Sequence, residues 1–118
     1  MYKEQIEAYF EDKQQMLVDA VCRLVAIDSV EGEPAPGAPF GPDCRKALDH
    51  ALERGRFYGF SAAGHDGYAG SITWGDAAHS IGVIAHLDVV PVGEGWVYPT
   101  FGATYLPEKD CLIGRGVS

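Results

Sequence analysis

The amino-acid sequence predicts an α/β chain in which helices lie on the face of a sheet. Three observations carry that prediction. Two stretches with a helical period occupy the first half, short apolar runs broken by glycine occupy the second, and one of those runs, Ile81 to Val90, is almost continuously apolar. A run of that kind suits a strand covered on both faces, which calls for layers on either side of it.

The first helical stretch places Ile6, Phe10, Leu17, Val21 and Leu24 on one stripe, with Met16 and Ala20 beside them. Asp28, Ser29, Gly32 and Pro34 end it. Glu31 to Pro42 contains four prolines and three glycines, and proline removes backbone donors, so this stretch reads as a surface loop. A second helix is expected from about Asp43 to Gly59. It buries Ala47, Leu48, Ala51 and Leu52 and turns Arg45, Lys46, Asp49 and Glu53 to solvent. Tyr68 to Trp74 reads as a strand followed by a Gly75-Asp76 turn, and Ile81 to Val90 as the buried strand, ended by Pro91, Gly93 and Gly95. Two weaker strands, Ala103 to Leu106 and Cys111 to Ile113, flank the polar turn Pro107 to Asp110.

Composition narrows the function classes. A chain of 118 residues is long enough for one core. Nine basic against seventeen acidic side chains give a formal charge of -8, which argues against a nucleic-acid or anionic-membrane partner, since both require clustered Lys and Arg. No apolar run approaches the ~20 residues needed to span a bilayer. The acidic start, with Glu4, Glu7, Glu11 and Asp12, lacks the layout of a secretory signal, so a cytoplasmic location is expected. Cys22, Cys44 and Cys111 are odd in number and widely spaced, which suits reduced thiols rather than a disulfide framework or a zinc ribbon.

Chemistry concentrates at His86-Leu87-Asp88. Alternation along a strand sends His86 and Asp88 to one side. Two ionisable groups at the end of a buried strand require compensation, and a metal ion supplies it, with imidazole as ligand and carboxylate as its orienting partner. A His-Asp pair that merely finishes a strand fits the spacing equally well. His50 falls on a helix surface, His79 in a turn, and His65-Asp66-Gly67 reads as a turn signal. Ser118 lacks the surroundings of a nucleophile elbow, and neither a phosphate loop nor a dinucleotide fingerprint is present.

The wider context of this strand is more specific. Ile84-Ala85-His86-Leu87-Asp88-Val89-Val90-Pro91, Gly95-Trp96, Pro99-Thr100-Phe101-Gly102-Ala103 and Gly114-Arg115-Gly116-Val117-Ser118, in that order, resemble the M20 metallopeptidases, and within them the bacterial dipeptidase branch. Ala38-Pro39-Phe40-Gly41-Pro42 and Asp66-Gly67-Tyr68-Ala69-Gly70 extend the resemblance, so that it runs from about Leu24 to the last residue. Thr100 stands where the family often has a second proline, and Ile113 replaces a common aromatic. The resemblance implies a layered helix/sheet catalytic domain of the zinc-exopeptidase kind. It makes His86 the first zinc ligand and Asp88 the carboxylate that orients it. It also implies a site of two zinc ions, with manganese or cobalt as substitutes, that hydrolyses a dipeptide or a related small amide.

On this reading residues 1–118 are the N-terminal portion of the catalytic domain. The bridging Asp, the general-base Glu, the remaining ligands and the lid domain would lie beyond Ser118. The isolated chain is then expected to be inactive, because a catalytic zinc takes about three protein ligands. The competing expectation is a noncatalytic module that associates through exposed sheet edges.

Overall fold

The computed structural model describes residues 1–76 and 78–117. They fall into two compact units, Met1–Ala26 with Val92–Ser118, and Ile27–Pro91.

In the first unit the single helical stripe is divided into α1 (Tyr2–Phe10) and α2 (Gln14–Val25). The stripe has no apolar residue at position 13 or 14, and that is where the helix breaks. Lys13 leaves helical geometry and its ammonium takes the Tyr9 carbonyl at 2.9 Å and the Asp12 carboxylate at 2.8 Å, lying 4.2 Å from the centre of the Tyr9 ring. A cation on the last carbonyls is a favourable end for a helix. No residue of α1 is buried, whereas α2 buries Val25. The hairpin of β3 (Thr104–Leu106) and β4 (Cys111–Ile113) pairs antiparallel, as expected, around a short 3-10 turn, with Asp110 in the left-handed region at φ 46°. Tyr105 donates to Asp110 at 2.9 Å, which raises the phenol above its ordinary pKa.

The second unit carries α3 (Pro42–Phe57) and the antiparallel hairpin of β1 (Ser61–His65) and β2 (Ala69–Thr73). Pro42 opens α3 at a position whose N–H would be unbonded in any case, and Gly59 follows it at φ 86°. Ala47 and Leu52 are buried, while Leu48 and Ala51 are half-buried. Gly55 sits inside the helix because a side chain there would come within 3.0 Å of Ile72, so its absence lets β2 approach. The proline-rich loop closes on itself through Gly32 to Phe40 and reciprocal Ala35–Ala38 hydrogen bonds, and it buries Ala38.

Two expectations require correction: the single first helix, which is α1 and α2, and the buried strand at Ile81 to Val90. Strand β1 is an element that the sequence does not announce, because Ser-Ala-Ala-Gly-His lacks the β-branched and aromatic residues that mark strands. More consequentially, Ile81 to Val90 does not form a buried strand. It touches a neighbour at a single parallel bridge, Val89 to Val30, and Ile81, Val83 and Ile84 are 96%, 89% and 100% exposed. Apolar character alone does not make a strand: a ladder needs a partner backbone, and none lies along 81–88 among the described residues. The architecture is therefore a mixture of helices and small antiparallel hairpins. No described helix is long and apolar enough to cross a membrane.

Candidate functional site

His86 and Asp88 lie in the extended segment just before the Val30–Val89 bridge. The segment is held from behind by Ser29, whose backbone carbonyl accepts from the Val89 N–H at 3.1 Å and whose hydroxyl donates to the Leu87 carbonyl at 2.7 Å. His86 Nδ1 lies 3.0 Å from the Asp88 carbonyl oxygen and 3.4 Å from the Asp88 carboxylate. A carbonyl oxygen can only accept, so the proton resides on Nδ1. In the neutral ring the lone pair is then on Nε2, the arrangement of a histidine ready to bind a metal.

The predicted convergence of His86 and Asp88 on one side is present. The premise of burial is not: the two side chains are 83% and 66% exposed. Water solvates them, so their placement does not by itself demand a compensating ion. Among the described residues no group of three or more His, Cys, Asp or Glu side chains is gathered as a metal would require. The donor set fits one corner of a zinc site, an imidazole with an orienting acceptor, and not a whole one.

An open groove of about 540 Å³ runs beside the pair within the second unit. Its apolar lining comes from Leu48 and Leu52 of α3, from Phe40 and Tyr68, which meet edge to face at 5.5 Å, and from Ile72. Glu31, Cys44, His86 and Asp88 supply its polar atoms. Burial pushes the Cys44 thiol up in pKa, and the negative charges of Asp88, Glu31, Asp43 and Asp28 push it further. The thiol donates to the Ser29 carbonyl at 3.3 Å. Cys44 is thus held protonated and is a poor nucleophile. Because its pKa is raised in the folded state, its contribution to stability is complete below the pKa of an unfolded thiol and fades as pH rises through the folded value. Alkylation at pH 8 followed by peptide mass mapping is expected to modify the exposed Cys111 well before Cys44.

The other candidate residues stay apart from this pair. His50 is half-buried on α3, and His79 is exposed in a bend. His65 ends β1, with Nε2 3.0 Å from the Ser71 hydroxyl across the hairpin. Asp66 and Gly67 have φ of 52° and 79°, and the Tyr68 N–H returns to the His65 carbonyl at 3.0 Å, which makes Asp-Gly the turn that its sequence suggests, here joining β1 to β2. Ser118 lies outside the described residues. The sequence marks Ser29 only as a helix-stopping residue, and its role behind the segment depends on a contact between residues 58 apart in the chain.

No protein-family model matches the chain. It is similar to the protein named "Putative dipeptidase YtjP" of Bacillus subtilis (strain 168), at 40% identity over 93 residues, covering 77% of this chain and 20% of that protein. The protein named "Putative dipeptidase SAUSA300_1697" of Staphylococcus aureus (strain USA300) is 34% identical over 118 residues, covering 98% of this chain and 24% of its own length. The chain therefore spans about a fifth to a quarter of the length of the curated relatives it matches. Over most of its own length it is similar to proteins that carry the name of a dipeptidase.

Proposed function

We propose that this chain forms one wall of the catalytic site of a metal-dependent dipeptidase of the M20 type, in a polypeptide of its relatives' length. The observation that carries the proposal is the His86 geometry: Nδ1–H held by the Asp88 carbonyl, the Asp88 carboxylate alongside, and Nε2 left as the lone-pair atom. The dipeptidase names of the relatives give the substrate class, a dipeptide or small peptide. His86 would supply one zinc ligand, and Asp88 would fix its ring. When bound, zinc supplies the Lewis acidity that activates water and polarises a scissile carbonyl. The remaining ligands and the general base would come from other parts of the polypeptide.

The bare apolar residues of the 81–84 segment support the same reading. Ile81, Val83 and Ile84 are almost fully exposed, as the apolar residues of a central strand are before its neighbours are added. They also favour a second reading, association of separate chains through that segment. Metal content separates the two. In a polypeptide that carries this sequence within the relatives' length, a chelator is expected to abolish dipeptide hydrolysis and zinc to restore it. His86→Ala is expected to lower the zinc bound per chain. Unchanged zinc stoichiometry and affinity in that variant would remove His86 from the ligand set and leave the association reading.

A further inference from the structure

We propose that Ser29 is a positioning residue for His86, acting through the backbone of residues 87–89. This extends the reading of His86 as a metal ligand and depends on that reading for its functional consequence. Ser29 is the polar residue buried among the described residues, only 4% exposed. It grips the segment twice, at the Leu87 carbonyl through its hydroxyl, 2.7 Å, and at the Val89 N–H through its carbonyl, 3.1 Å. The same carbonyl accepts the Cys44 thiol at 3.3 Å, which ties this grip to α3.

The geometric consequence follows from extended backbone. Successive residues point their N–H and C=O groups to opposite edges. With Leu87 C=O and Val89 N–H turned toward Ser29, the intervening Asp88 C=O is turned to the far edge. There it accepts from His86 Nδ1 at 3.0 Å. The hydroxyl of Ser29 thus selects which ring nitrogen of His86 carries the proton, and so which one remains able to bind a metal. Without it, the half-buried Leu87 C=O loses its partner or must rotate to find water, and Asp88 C=O rotates with it.

The test compares Ser29→Ala with Ser29→Thr in the 118-residue chain, metal-free, at a pH where an ordinary imidazole is neutral, about 8.5. The nitrogen shifts of the His86 ring report its tautomer, and hydrogen exchange at Val89 reports the bridge, with the α3 amides as the control for folding. Ser29→Ala is expected to mix the two tautomers and to speed exchange at Val89 about fivefold, the worth of one typical hydrogen bond. Ser29→Thr keeps the hydroxyl and is expected to retain the Nδ1–H form. Should Ser29→Ala fail to fold, Ser29→Cys, nearly isosteric but a weak donor, is expected to show the same mixing.

An unchanged tautomer in a folded Ser29→Ala or Ser29→Cys chain overturns the assignment. So does loss of the whole α3 and hairpin amide pattern in both variants, which would make Ser29 a general structural residue. Zinc bound per chain in a polypeptide of the relatives' length, with and without His86→Ala, separates this from the metal reading. Unchanged zinc binding in His86→Ala defeats the ligand and leaves the clamp, whereas lost zinc binding there together with an unchanged tautomer in Ser29→Ala defeats the clamp and leaves the ligand.

Discussion

In a polypeptide that holds this chain within the relatives' length, His86→Ala is expected to lower kcat/KM for dipeptide hydrolysis by more than roughly 100-fold, and Asp88→Asn by about 10- to 100-fold. The difference between the two follows from the hydrogen bonds. His86→Ala removes the donor atom itself. Asp88→Asn keeps the backbone carbonyl that holds Nδ1–H at 3.0 Å and alters only the carboxylate, which lies farther away at 3.4 Å. The carbonyl sets the orientation of the ring. Steady-state rates with zinc in excess, compared with zinc at the protein concentration, check this. If the His86 loss is one of affinity, excess metal recovers part of it, and a Asp88→Asn variant as damaged as His86→Ala would place the orienting function on the carboxylate alone.

The largest effect on stability is expected at Gly67. Its φ is 79°, and a Cβ there would stand 2.5 Å from the Gly37 carbonyl oxygen and 2.9 Å from Pro39 Cδ. A left-handed backbone costs an L residue roughly 1–2 kcal/mol, and forced overlap in a packed region costs about 1–3 kcal/mol. Gly67→Ala is therefore expected to destabilise the second unit by about 2–5 kcal/mol. Neither contact is with the tip of a flexible side chain, so relaxation is limited to backbone shifts in the loop. Asp66, at φ 52° in the same turn, provides the control: Asp66→Gly relieves positive φ and is expected to be neutral or slightly stabilising. Urea unfolding followed through the hairpin amides measures both. A Gly67→Ala chain as stable as the parent would mean that the loop at Gly37 and Pro39 is free to move away.

These two predictions draw on different layers of information. The Asp-Gly turn, the burial of Ala47 and Leu52 and the β3–β4 hairpin all follow from local rules of dihedral preference and period, and each was legible in the sequence, whereas Pro42, which opens α3, reads there as the end of the proline-rich loop. The convergence of His86 and Asp88 was legible as well, since alternation along an extended backbone is a property of two residues and their spacing. The break between α1 and α2 was not legible, because a step of seven keeps Phe10 and Leu17 on one stripe and what ends α1 is the Lys13 ammonium on a carbonyl four residues back.

The tertiary structure decided what depends on residues distant in sequence. Whether Ile81 to Val90 is a strand turns on a partner backbone, and a run of apolar side chains carries no information about whether one is present. The structure pairs it with Val30 alone and leaves Ile81, Val83 and Ile84 bare. Which nitrogen of His86 holds the proton turns on Ser29, 57 positions before it, through a hydroxyl that the sequence marks only as a helix end. The sequence by itself determined the helices, the turns and the residue types of the candidate site, because those obey local sterics and period. The exposure of the site and the orientation of its imidazole were settled by hydrogen bonds across the fold, where the geometry is a property of two segments at once.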